Sequence, residues 1–322
     1  MREYGFELAL CAALESDERV VSRQLGASVH GRRIIDTVVL ESGPGFDQRT
    51  AITDRTIPDR LIEADVGVGQ ARDWRRVFPD LRPERARSRI DRGVEIGFFE
   101  RERRGGTLRV RQTARYPGAW FDRLVGIENK PDLDRPGELQ RQLRQDVALG
   151  LFDEVILATA SYVTGAHRNR IPDPVGIWRF DPERNEREVI REPTPLDPSA
   201  GGIDIIAERP GRTEIRTVDP EAKRRARRRL AERAYGKGWR PAELPACANC
   251  DPDDDSRDAT VPYCTYHDRI VEPAAECGPE CPGHGSAEPP AFDRMTERAE
   301  HSAWVRDPKG HQRRQAGLDR FG

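Results

Sequence analysis

Between Trp120 and Ser161 the period of the chain changes twice. "WFDRLVGIENK" reads as an apolar β-strand. After a turn containing Pro131 and Pro136, "GELQRQLRQDVALGL" reads as a helix with Leu139, Leu143 and Val147 in register, and "DEVILATAS" as a buried strand. Residues 3–15 predict an amphipathic helix, with Phe6, Leu10 and Leu14 at every fourth position. Two β-rich runs follow, "RVVSRQLGASV" and "RRIIDTVVLES", separated by a turn around Gly31. "VGIWRF" and "GGIDIIAERPGRTEIRTV" predict two or three further strands. Helices and strands in this order place the chain in the α/β (α+β) class, with a mixed sheet flanked by helices.

Residues 51–115 interrupt that pattern. "DRTIPDRLIEADV" and "ARDWRRVF" predict short helices, and "RPERARSRIDRGVEI" a third, with Ala86, Ile90 and Val94 on one face and Gly97 at its C-terminal cap. "GFFERERRGGTLRVRQT" predicts a hairpin about Gly105-Gly106. Three helices and a hairpin resemble a winged-helix module; the alternative is an insertion that only packs against the core. The expected organisation is a discontinuous core of residues 1–50 and 116–218, an insert of 51–115, and a tail of 219–322 holding a basic helix and a Cys/His-rich segment.

With 54 basic against 56 acidic residues and a net charge of −2, the whole chain has no electrostatic bias toward nucleic acid or lipid. Charge is segregated locally: "KRRARRRLAERAYGKGWR" (223–240) is basic and "DPDDDSRD" (251–258) acidic. The basic helix, with Arg224, Arg225, Arg227, Arg228 and Arg229, is expected to meet phosphates, against the alternative of a solvated helix paired to Glu221 and Glu232. Mean hydropathy is −0.77 and no apolar run is long enough to span a membrane. "GFELALCAALES" carries Glu7 and lacks a cationic leader, so it reads as a helix of the mature protein. A soluble, cytoplasmic protein with no membrane partner is expected. The excess of Arg over Lys suggests a GC-rich genome, and the high charge fits a salt-adapted host.

Among the 54 basic residues only Lys130, Lys223, Lys237 and Lys309 are lysines. Lys130 ends the strand "GIENK", two residues after Glu128. Residues i and i+2 of a strand share a face, so Glu128 and Lys130 project together and Asn129 points away. Asp36 lies within "RIIDTVVL", where a carboxylate is costly unless it is paired or holds a metal. Two carboxylates converging with a lysine can hold Mg2+ or Mn2+, which activates water and neutralises a phosphoryl oxygen. Arginine cannot replace such a lysine, because its broad fork does not give up a proton.

These pieces resemble the PD-(D/E)XK nuclease superfamily: an early helix with Glu7, a strand with Asp36, the Glu-x-Lys strand "IENK", then a helix bearing glutamine and a strand. The resemblance spans residues 1–50 and about 116–180 and implies a restriction-endonuclease-like core. It also implies metal-binding acids at Asp36 and Glu128, a water-assisting Lys130, a supporting Gln142 and an auxiliary Glu7. The sequence departs from the Pro-Asp motif, because Gly118 follows Pro117 in "RYPGAWFD". The acid is therefore Asp36 or, as a substitute, Asp122. The arrangement of the chain also resembles an uncharacterised protein family of halophilic archaea.

Five of the six cysteines fall between 247 and 281. Cys247-x2-Cys250 followed by Cys264-x2-His267 has the spacing of a structural zinc site, and Cys277-x3-Cys281-x2-His284 offers further ligands. Seven candidates are one short of two closed sites, so one zinc is expected, with the ligand choice open. A metal-dependent DNA endonuclease in repair or defence is the expected function. The alternatives are a non-catalytic DNA-binding regulator on a degenerate nuclease core and a zinc-stabilised scaffold. DNA is the expected partner, and the sequence leaves a homodimer open.

Overall fold

Alternating apolar residues on two strands leave both faces of a sheet to be covered, and this chain covers one with an N-terminal helix and the other with two later helices. The computed structural model describes residues 2–27, 29, 33–134, 137–252 and 259–310. The turn expected at Gly31, Pro136 and most of the acidic stretch (253–258) lie outside the described residues.

The chain begins with α1 (Glu3–Leu14), β1 (Arg19–Gly26), β2 (Ile34–Ser42) and α2 (Phe46–Thr50). The insert holds α3 (Asp59–Ile62), β3 (Arg72–Asp73), a 3-10 turn at Trp74–Arg76, α4 (Pro83–Glu95), β4 (Phe99–Arg104) and β5 (Thr107–Gln112). The chain then forms β6 (Phe121–Asn129), α5 (Leu139–Leu149), β7 (Glu154–Thr159), α6 (Gly165–Arg170), β8 (Gly176–Asp181) and β9 (Glu186–Arg191). A hairpin of β10 (Gly202–Arg209) and β11 (Arg212–Val218) leads into α7 (Pro220–Lys237). The last elements are β12 (Tyr263–Cys264), β13 (Arg269–Ile270), α8 (Pro273–Glu276) and α9 (Arg294–His301).

The largest sheet has the order β1-β2-β6-β7-β8-β9. Its first three strands are antiparallel neighbours, β6, β7 and β8 run parallel, and β9 returns antiparallel. The parallel steps need crossovers, which α5 and α6 supply. A mixed sheet flanked by helices is the fold class read from the sequence. One face carries Val38, Leu40, Leu124 and Leu157, packed with Leu143 of α5 and Leu230 of α7. The other carries Val21, Val39, Val125 and Ile127 beneath Phe6 and Leu10 of α1. Gly126 keeps the first face open for the Phe152 ring, since a Cβ there would lie 2.8 Å from it. Strand β9 escapes the sequence pattern because "EREVIR" is a charged edge strand, a composition that protects a sheet edge from further pairing. Among the described residues no helix is long and apolar enough to cross a membrane.

The insert has a core of its own, in which Ile57, Leu61, Val77, Ala86, Ile90, Phe98, Phe99 and Val110 cluster. Its three strands pair antiparallel in the order β3-β5-β4. α4 stops at Gly97, whose φ of +87° is the left-handed conformation of a helix C-terminus. The helix expected at "ARDWRRVF" is instead β3 and the 3-10 turn. Arg72 pairs with Val110, and the Asp73 carboxylate accepts the Arg75 N–H at 3.0 Å.

The expected tail boundary at 219 is corrected. α7 buries Ala226, Leu230, Ala231, Ala234 and Tyr235 in the main core, and Trp304 beyond α9 joins them. Arg224, Arg225, Arg227, Arg228 and Arg229 of α7 are paired to neighbouring acids, but only Arg227 among them is buried. Arg227 is buried and donates to Leu151 O and Asp153, Arg228 pairs with Asp59 and Glu63, Arg229 with Asp59, and Arg224 and Arg225 with Glu221. The helix is therefore part of the main core, with Arg224 and Arg229 exposed on its outer side.

Arg49 and Glu232 form an ion pair at 2.6 Å with side chains 0% and 1% exposed. Removing one partner of such a pair strands the other charge. Glu232→Ala is expected to cost about 3–5 kcal/mol of unfolding free energy, measured by urea denaturation. A loss of only about 0–1 kcal/mol, the worth of a surface pair, shows that the pair does not hold these elements together.

Candidate active site

The site forms where the antiparallel ladder of β1 and β2 is interrupted. Arg23 pairs with Thr37 and Leu25 with Ile35, while Gln24 between them has φ of +53°. That left-handed kink frees the Gln24 amide to donate to Glu7 Oε1 at 3.1 Å and to Asp36 Oδ1 at 3.4 Å. Lys237 Nζ donates to the Gln24 carbonyl at 2.9 Å and holds the kink from outside. On the neighbouring strand, Thr37 is in register with Ile127, so Asp36 and Glu128 are adjacent across the sheet. The Asn129 N–H donates to Asp36 Oδ2 at 2.9 Å, while the Asn129 side chain turns away to Thr37 Oγ1 at 3.0 Å.

Two guanidiniums enter this group. Arg23 grips Glu7 through Nε and Nη2 at 3.1 and 3.2 Å. Arg33 grips Asp146 of α5 through Nε at 3.1 Å and Nη2 at 2.8 Å, and the same Nη2 reaches Glu128 Oε2 at 2.7 Å. Burial raises the pKa of all four acids. Glu128 is pushed up to about 8, by burial first and then by the charge of Asp36. Burial pushes Asp146 up to about 6, against the pull of Arg33. Glu7 and Asp36 shift upward for the same first reason. Burial also disfavours the Arg33 cation, but Asp146 and Glu128 reverse this and raise its pKa.

The structure thus brings Glu7, Asp36 and Glu128 together. Asp36 has no ion-pair partner among the described residues, and only the Gln24 amide and the Asn129 N–H donate to it. Lys130 follows the end of β6, half-buried, with its N–H bonded to Ala158 O at 2.9 Å and its ammonium without an ion-pair partner among the described residues. Gln142 is half-buried and its side chain makes no hydrogen bond among the described residues. The α5 residue that reaches the cluster is Asp146, one turn later. Asp122 lies exposed near the opposite end of β6 and does not substitute for Asp36. Sequence reading missed Asp146 and Arg33. The available signal was Asp146 itself, a charge on the stripe that Leu139 and Leu143 define.

Among the described residues, no three or more His, Cys, Asp and Glu side chains converge as a ready-made metal-binding group. Carboxylate oxygens are the donors Mg2+ and Mn2+ prefer. Asp36 is open to such an ion, but Glu128 must first exchange Arg33 for it.

The cysteine-rich segment lies apart. Cys250 faces Cys264 across an isolated antiparallel bridge, and the Cys250 N–H closes a turn onto Cys247 O at 2.9 Å. Cys247, Cys277 and His284 line one surface cavity, and His267 Nε2 lies 3.5 Å from Cys281 Sγ. Cys11 is buried in α1, 3.6 Å from Thr37 Oγ1.

Residues 20–286 match the model of a family of unknown function, DUF5787. The chain belongs to this family. The matched region contains Asp36, Glu128, Lys130, Asp146 and every cysteine and histidine of the 247–284 cluster, and it begins after α1 and Glu7. No curated protein and no solved structure matches the chain.

Glu128 has its proton held more tightly in the folded than in the unfolded chain. Between its ordinary value of 4.5 and about 8, folding therefore takes up a proton, and stability falls as pH rises through that window. Glu128→Gln mimics the protonated carboxyl. Its thermal midpoint should match that of the wild type near pH 5 and exceed it near pH 8. Identical melting of the two proteins across that range would show that ionised Glu128 places no burden on the fold.

Proposed function

We propose that the protein is a metal-dependent nuclease that hydrolyses phosphodiester bonds in DNA. The observation that carries this reading is the placement of Asp36 beside Glu128 across β2 and β6, with Lys130 where β6 ends. The order α1, β1, β2, β6, α5, β7 with Glu7, Asp36 and Glu-x-Lys on its successive pieces is the order on which the nuclease resemblance rests. Asp36 and Glu128 would hold a Mg2+ or Mn2+ ion, which supplies an activated water and neutralises phosphoryl charge. Lys130, a compact cation with no competing partner among the described residues, orients that water and lowers the cost of its deprotonation. The water oxygen bonds to phosphorus, the ester P–O bond breaks, and the departing oxygen takes up a proton. Asp146 holds Arg33 independently of Glu128, so a guanidinium would stay available to a phosphate oxygen with Glu128 serving as a metal ligand.

The insert supplies a surface for the duplex. Its helix–strand–helix–hairpin order fits a winged-helix-like module. Arg85 and Arg89 are exposed on α4, Arg103 and Arg104 are exposed at the β4–β5 turn, and none has an ion-pair partner among the described residues. The Arg101–Asp91 pair at 3.5 Å ties the hairpin to α4 and joins the two basic patches.

One observation favours the second reading, a DNA-binding regulator without turnover: Arg33 occupies Glu128 and Asp146 as an internal counter-ion. Cleavage assays separate the two. Glu128→Ala should abolish Mg2+- or Mn2+-dependent nicking of plasmid DNA while leaving the circular dichroism spectrum unchanged. Lys130→Arg should fall by about 10²-fold or more if the lysine serves the water. Full nicking by Glu128→Ala, or none by the wild type with either metal, removes the catalytic reading.

Binding is measured separately. Replacing Arg85 and Arg89 together by alanine should weaken duplex binding and flatten the dependence of log K on log salt by about 0.9 per lost phosphate contact. An unchanged salt slope would move the DNA surface elsewhere.

A further inference from the structure

We propose that Cys247, Cys250, Cys264 and Cys277 bind one zinc ion, and that this ion folds residues 241–252 and 259–290 onto α1. The site is independent of the carboxylate cluster and of any nuclease activity.

The first argument is the lack of another way to hold the segment. Its regular structure, among the described residues, is two strands of two residues each, β12 and β13, and the four-residue α8. Its buried hydrophobic residues are Leu244, Val261, Cys264 and Val271. Val261 and Ile270 pack against the α1 side of the main sheet. So little apolar burial cannot offset the conformational entropy of ordering such a stretch, and segments of this kind depend on metals or disulfides.

The second argument is the placement of the sulfurs. Cys247 and Cys250 sit on one tight turn, Cys250 faces Cys264 across a bridge, and Cys247 shares a cavity wall with Cys277. Thiols gathered this way suit a borderline-soft divalent ion, which binds them as thiolates. The side chains do not yet converge as a closed set, so binding draws them inward. His267, the fourth ligand expected from spacing, lies instead against Cys281, and of the two donors that share the Cys247 cavity, Cys277 and His284, the thiolate is assigned as the fourth ligand.

The third argument is what the segment touches. Arg2 pairs with Glu276, and Gly5 of α1 packs so closely on Ile270 that a Cβ would lie 3.2 Å from its carbonyl oxygen. The segment therefore braces the N-terminal half of α1, and loss of the ion should be felt there.

The test is metal content of the full-length protein by inductively coupled plasma mass spectrometry, with cobalt substitution and hydrogen exchange. One zinc per chain is expected. Cobalt should give an intense thiolate-to-metal charge-transfer band. Chelation should raise exchange across residues 241–252 and 259–290 and the first turns of α1 while the six-stranded sheet stays protected. Cys277→Ser should lose zinc and His267→Ala should keep it. The proposal is overturned by zinc-free protein whose segment resists proteolysis, or by thiol titration in denaturant finding disulfides among these cysteines. Zinc retained by Cys277→Ser but lost by His267→Ala overturns the ligand assignment.

Discussion

The buried pair between Arg49 and Glu232 stands where the three parts of the chain meet. Arg49 follows β2 on α2, its guanidinium donates to the carbonyls of Thr53 and Arg55 as the chain enters the insert, and its partner is on α7. Glu232 also accepts the Ile57 N–H at 2.9 Å and the Tyr116 hydroxyl at 2.9 Å, where the chain leaves the insert. Every polar atom of the pair is thus matched by a segment that must pass this point. Taking two charges out of water is expensive, and well-packed apolar residues could replace such a pair at little loss. Its use here is specificity: entry and exit of the insert and α7 satisfy it only when all three are in place. With α7 fixed, Lys237 at its end reaches the Gln24 carbonyl, and the kink that organises the acid cluster follows.

The acid cluster uses the same forces with a different balance. At Arg49 the charges are matched and fully covered, whereas near Asp36 four carboxylates share two guanidiniums. Burial, with the charge of Asp36 added to it, pushes Glu128 up to about 8. Such a group exchanges a proton, a guanidinium or a metal ion at modest cost.

The sheet was readable because its strands carry long apolar runs and its helices α1 and α5 keep a clear four-residue spacing. Asp36 and Glu128 were readable for the opposite reason, since a charge inside an apolar run has to be explained. Arg33 was not, because it sits at the end of "GRR" among many other arginines and its partners are on strands and helices far away in sequence. α7 looked like a detached basic helix because its buried stripe is mostly alanine, and Arg227 and Lys223 within that stripe resemble surface charges. Long cationic side chains can bury their stems and still find acceptors, so composition alone misplaces such a helix.

The scarcity of lysine can now be weighed residue by residue. Lys223 is 2% exposed and its Nζ donates to Asp197 O at 2.8 Å, in a space against Gly150 where a Cβ would lie 2.9 Å from that nitrogen. Lys237 donates to a single carbonyl at the kink. Both positions take a compact ammonium, and a planar guanidinium with five donors would leave most of them unmatched. Lys223 and Lys237 therefore mark places that need a small point charge, Lys309 is exposed with no partner among the described residues, and scarcity alone does not separate catalysis from structure. Lys130 differs in one respect. Lys223 and Lys237 have their acceptors built into the fold, whereas the Lys130 ammonium has no ion-pair or hydrogen-bond partner among the described residues and stands next to the strand position of Glu128. A cation without an internal acceptor, two residues after Glu128 at the end of β6, is what the proposed role in orienting water requires.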